Sequence, residues 1–172
     1  GTYTFALVAD GSDGITFSSR EGSTPPQLMV ILGTGGSMPE ATATFTPTAT
    51  STSAPGATPT HTPTLTRTPT ATATTASGGP LTFITVADAR VLQSLPTTNY
   101  GSQTNIQVDA GPGAAQQRSY IRFTVSGVSG PIESVKLRVY CASNGTTNGP
   151  AAYLADNTWL EKGTGGITWN TQ

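Results

Sequence analysis

Charge is scarce in this chain. Of its 172 residues 8 are Lys or Arg and 9 are Asp or Glu. That is 10%, far below the roughly 25% usual in soluble domains. With a net charge of −1 and no basic cluster, nucleic acid is excluded as a partner. There is one histidine, His61, and it stands among threonines and prolines. No Ser-His-Asp or Cys-His arrangement can therefore be assembled on a folded unit, and a Cys/His zinc site is excluded too. The single cysteine, Cys141, rules out an internal disulfide framework. It shares parity with Val135, Leu137 and Val139, which predicts a buried, inert thiol on an apolar strand face. No stretch approaches the roughly 18 apolar residues of a membrane span. An initiator Met and a signal peptide are also missing, and the chain opens in mid-pattern at Gly1-Thr2-Tyr3. The expectation is a processed product or a piece of a longer chain.

What the chain has instead is threonine. Between Ala41 and Gly79 lie 16 Thr, 3 Ser and 5 Pro in 39 residues. Such a tract has almost no large apolar groups to offset the entropy of ordering. It reads as a stalk: Pro47, Pro55, Pro59, Pro63 and Pro69 favour an extended polyproline-like course. Its hydroxyls form a mucin-like acceptor tract. The O-glycosylation candidates are Thr42, Thr44, Thr46, Thr48, Thr50, Thr52, Thr58, Thr60, Thr62, Thr64, Thr66, Thr68, Thr70, Thr72, Thr74 and Thr75. Asn144-Gly145-Thr146 adds an N-glycosylation sequon in an expected loop, although Asn-Gly alone also makes a turn.

The flanks are strand-rich. Thr2 to Val8 alternates, with Tyr3, Phe5 and Leu7 on one face. Ile15 to Phe17 and Gln27 to Leu32 follow as strands. Beyond the tract, strands are expected over 81–86, 87–92, 103–108, 119–125, the segment holding Cys141, 151–154 and 167–169. No segment keeps a 3.6-residue period. Short strands punctuated by Gly/Pro turns mean an all-β protein of β-sandwich or jelly-roll type. The organisation expected is a tail block at 1–33, a Thr/Pro linker at 34–80 and a head block at 81–172.

Six stretches carry a resemblance: VADARV (86–91), TTNYGSQTNIQVDAG (97–111), RSYIRFTVSGV (118–128), SVKLRVY (134–140), ADNTWLE (155–161) and GITWN (166–170). They resemble the opening of a DNRLRE-type module, the disaggregatase-related family of carbohydrate-binding β-sandwiches. Residues 1–32 resemble the end of the same module. The family's end thus precedes its beginning, and roughly two strands between them are absent. Two readings follow: a window on a tandem array, or a tail and head from different copies that meet. A sandwich lacking strands exposes edges that recruit a neighbour. Residues 1–32 are therefore expected to find a sheet outside this stretch of chain, building a head-to-tail array or fibre from copies of the chain. Phe5 and Leu28 test this, because burying both against residues 82–172 of their own chain argues for a soluble binding module.

The resemblance implies polysaccharide as a partner. Trp159, Trp169, Tyr100 and Tyr153 are the aromatics available to stack on sugar rings, although the two tryptophans also suit core packing. Catalysis is not expected. The carboxylates near Trp159 that could face each other as a glycosidase pair are Asp156 and Glu161, and no further cleft signal accompanies them. No cofactor is expected beyond a structural Ca²⁺, for which Asp88, Asp156 or the Asp10–Asp13 loop are candidates. Arg20 and Glu21 read as a structural ion pair. The resulting expectation is a non-enzymatic, extracellular or cell-surface glycoprotein with a structural or adhesive role. The alternative is a carbohydrate-binding accessory module of a secreted polysaccharide-degrading enzyme.

Overall fold

The computed structural model describes residues 1–12, 14–33, 79–111, 116–144 and 148–172. The Thr/Pro tract, on which the expected extended course and the O-glycosylation candidates fall, lies outside the described residues, as do Asp13 and, within the sequon, Gly145 and Thr146. Gly1–Gly33 and Gly78–Gln172 form one compact unit. It is all-β. The tail carries β1 (Thr2–Val8), β2 (Ile15–Ser18) and β3 (Gln27–Leu32). The head carries β4 (Leu81–Ile84), β5 (Ala87–Leu92), β6 (Asn105–Val108), β7 (Gln117–Thr124), β8 (Ile132–Arg138), β9 (Cys141–Asn144) and β10 (Ala151–Ala155).

Three antiparallel sheets result, with strand orders β10-β1-β7-β5, β6-β2-β9 and β4-β3-β8. In each one a tail strand lies in the interior, between early head strands (β4–β7) and a late head strand (β8–β10). The core between the sheets follows from the period-2 rule. Leu7, Phe17 and Leu28 from the tail meet Ile106, Val108, Ile121 and Phe123 from the head.

This settles where the tail goes. Phe5 packs edge-to-face on Phe123 with centroids 6.2 Å apart. Leu28 is 3% exposed and stands between Phe83 and Leu137. The tail thus closes on its own chain, not on a sheet outside it as the edge argument expected. The connection makes this possible. β3 and β4 are antiparallel neighbours with Val30 opposite Leu81, so the linker starts and finishes at adjacent points. Closing a loop of this length in place of a hairpin turn costs only about 2 kcal/mol more, because loop entropy grows logarithmically.

Two local expectations are corrected. Cys141 is exposed, because β8 ends at Arg138 and Cys141 opens β9 in a different sheet. Parity does not carry across the break at Val139-Tyr140. The segment expected as a strand at 167–169 instead leads into a 3₁₀ turn over Trp169–Thr171, capped by reciprocal hydrogen bonds between Thr168 and Thr171. Asn144, expected in a loop, ends β9 opposite Ile15.

Candidate functional site

The β10-β1-β7-β5 sheet has a second covered face. Cross-strand register sets Ala6 opposite both Tyr120 and Tyr153, and Ala89 opposite Tyr120. The two alanines leave troughs beside Tyr120, and the C-terminal segment fills them. Ala6, Ala89, Val91, Tyr120 and Ile167 form a buried cluster, with Ala155, Trp159 and Trp169 packed against it. A cavity of about 440 Å³ remains between the sheet and this segment. Its apolar lining is Ala6, Tyr120, Ala155, Trp159 and Ile167, and Asp156, Thr158, Thr171 and Gln172 contribute polar groups. An apolar floor with a few convergent polar groups is the usual form of a small-ligand site.

Trp159 is held on several sides. Its indole N–H donates to Thr4 Oγ1 (3.2 Å), and Thr4 donates in turn to Asn157 Oδ1 (2.8 Å). The Arg122 guanidinium stacks 4.1 Å from the ring centroid and donates to the Trp159 carbonyl. Burial lowers the Arg122 pKa, against the pull of Glu161. Tyr120 lies tilted against the ring at 6.1 Å. Its hydroxyl donates to Gln172 Oε1 (2.9 Å), and burial pushes its pKa up. Trp169 and Tyr100 repeat the theme, carrying Arg118 and Arg90 respectively, each 5.0 Å from the centroid. Neither lines the cavity. Of the four aromatic candidates in the sequence, then, Trp159 alone lines it. The exposed ring on this face is Tyr153, 59% accessible, across Ala6 from Tyr120. Alternation does not single it out, because Ala152 and Leu154 on either side of it are exposed as well.

A charged cluster fastens the C-terminal segment down. Arg20 grips Glu161 bidentately, Nε to Oε1 at 3.0 Å and Nη2 to Oε2 at 2.8 Å. It also pairs with Glu21 at 2.5 Å, as the sequence led one to expect. The Arg20 backbone N–H donates to Asp88 Oδ2 (2.6 Å), and the Asp88 N–H donates to Glu161 Oε1 (2.9 Å). Nearby, Asn99 Nδ2 donates to the carbonyls of Glu161 and Ile167. Gly101 is obligatory here, since a Cβ would come 1.8 Å from the Glu161 carbonyl oxygen.

Oxygens of Glu21, Asp88 and Glu161 lie within 4.8 Å of one another. Ca²⁺ takes six to eight oxygen ligands. Here the counter-charge already comes from Arg20 and from Lys162, 3.8 Å from Glu21 and Glu161. The arrangement does not fit a resident Ca²⁺ without displacing Arg20. Asp156 stands apart from the cluster. Hydrogen bonding from the Thr158 side chain, and then from the Thr158 N–H at 2.5 Å, holds its pKa below the usual range. With Glu161 bound by Arg20, the two do not face each other as a hydrolytic pair.

A β-sandwich with an aromatic-walled trough on one sheet face has the form of a ligand-binding module. A family model described as carbohydrate-binding module family 96 matches residues 79–172, and the chain belongs to that family. The family is one of non-catalytic binding modules, consistent with a non-enzymatic role. No curated protein and no solved structure matches the chain. Among the described residues no helix is long and apolar enough to cross a membrane.

Proposed function

We propose that this chain binds polysaccharide on the outer face of the β10-β1-β7-β5 sheet, as an accessory module of a secreted, disaggregatase-related protein. The observation that carries this is the row Tyr153–Ala6–Tyr120 beside the Trp159-walled cavity. Tyr153 offers an open ring for stacking. Asp156, Thr158 and Gln172 offer hydrogen-bonding groups at the rim. Tyr120 is buried under the C-terminal segment and walls the cavity, so Tyr153 is the ring of this row that is open to a sugar.

Binding to an array of plant, algal and microbial polysaccharides tests this. Tyr153→Ala should weaken binding at least tenfold with little change in melting temperature, because the ring is exposed. Tyr140→Ala, at a smaller recess by β3 and β8, should leave binding unchanged. Equal effects of both would remove the proposed surface.

The Thr/Pro tract is the second part of the reading. As a glycosylated spacer it holds the module away from a cell surface or a neighbouring module, in an extracellular array. Sixteen closely spaced hydroxyls support this. The intact mass of the secreted chain should exceed 17.5 kDa by many hexose units, and a mass equal to the bare polypeptide counts against it.

A further inference from the structure

Seven ladders hold the three sheets among the described residues, and six of them include a tail strand. Only β5–β7 pairs head with head. Without the tail, β4, β6, β8, β9 and β10 have no ladder partner among the described residues; β6 keeps only side-chain bonds from Ser119 and Arg90 to Gln107 and the Asp109–Gln117 bridge at its end. The tail also completes the candidate site. Thr4 holds Trp159 and Asn157, Ala6 lines the cavity, and Arg20 grips Glu161.

The connection from tail to head runs through residues 33–80, yet it joins strands that are direct neighbours. A turn of two to five residues is the usual bridge for such a pair. The long tract keeps the closed monomer accessible, but it lowers the tail's effective concentration at its own head to about millimolar or below. A second copy of the chain reaches that range in an array. The hydrogen bonds, core contacts and Arg20–Glu161 clamp are the same whichever copy donates the tail.

We propose that residues 1–32 are an exchangeable three-strand insert. A second copy of this chain can supply β1–β3 to residues 79–172, and glycan binding requires that an insert, its own or a partner's, be seated. The second half rests on the binding face proposed above. Because the seated tail contributes Leu7, Phe17 and Leu28 to the core, release is slow, and the choice of donor is made as the chains fold.

Thr2 and Thr124 allow a direct test. They are cross-strand partners flanked by the mutual hydrogen bonds of Gly1 and Val125, 2.6 and 2.8 Å. Theirs is therefore the close, non-hydrogen-bonded kind of pair, with Cα atoms about 4.5 Å apart, within disulfide reach. Full chains carrying T2C or T124C, each with Cys141→Ser, are mixed unfolded and refolded oxidatively at micromolar and at millimolar concentration. The expected result is a linked heterodimer of twice 17.5 kDa at millimolar and little at micromolar. A single chain carrying both substitutions closes on itself at either concentration. The β7 amides of the heterodimer should exchange as slowly as those of the closed monomer. No heterodimer at either concentration while the double variant closes, or linkage without that protection, overturns the exchange. The heterodimer then goes onto the polysaccharide array beside the unmodified chain. Loss of binding by the heterodimer alone overturns the gating, whereas no binding by either one strikes the proposed function and leaves the exchange standing.

Discussion

Leu7→Asp should unfold the whole unit, including residues matched by the family. Leu7 is 1% exposed, at the centre of the inter-sheet core. Replacing it removes a buried aliphatic side chain, worth about 2–5 kcal/mol, and forces an unpaired carboxylate into its place. The expected loss of about 5 kcal/mol or more matches the whole stability of a marginal domain. The effect should spread because β1 lies between β10 and β7. Hydrogen exchange on β5 and β7, the one pair that does not need the tail, is the decisive readout. If those amides stay protected in the variant, the head block folds by itself and the tail is an accessory.

The second large effect concerns Asp88. It is 1% exposed. Burial is the main reason that its pKa rises from 3.8 to about 7; Glu21 and Glu161 add to the rise, while the Arg20 N–H and guanidinium oppose it. The folded chain therefore keeps a proton that the unfolded chain releases near its ordinary value. Stability from this group is full below about pH 4 and drains away as pH rises through 7. A shift of this size corresponds to about 4 kcal/mol at the alkaline end. Asp88→Asn keeps an oxygen for the Arg20 N–H and removes the titration. It should leave stability near pH 4 almost unchanged, raise it by up to that amount at pH 8, and flatten the profile between. Melting curves from pH 4 to 8.5 check this. A wild-type unit that gains stability across the range would mean that Asp88 is held ionised, and a cation would then be the group to look for.

Most strands were legible, and the reason is local. Period-2 alternation and Gly/Pro punctuation placed β1, β3, β5 and β7 closely, and the head's core residues Ile121 and Phe123 follow from the same alternation. Where alternation crosses a break it misleads, as at Tyr140, which sent Cys141 to the wrong face. Trp159 was marked from composition and motif alone. Its clamps were not visible, because Thr4 lies 155 positions away and Arg20 reaches Glu161 over a separation of 141. Tyr153 was only one aromatic among four until register set it beside Ala6.

The sequence by itself determined an all-β chain with no Ser-His-Asp set or Cys/His zinc site to assemble, divided by a tract too polar to form a core. Those are properties of composition and of short-range periodicity, which need no partner to be read. The tertiary structure decided which strand neighbours which. It brought the two ends of a long linker side by side, put a tail strand in the interior of every sheet, and assembled the proposed binding face from residues at both ends of the chain. Pairing of that kind depends on the apolar faces of distant segments burying one another, and no local pattern states which of several matching edges will do so.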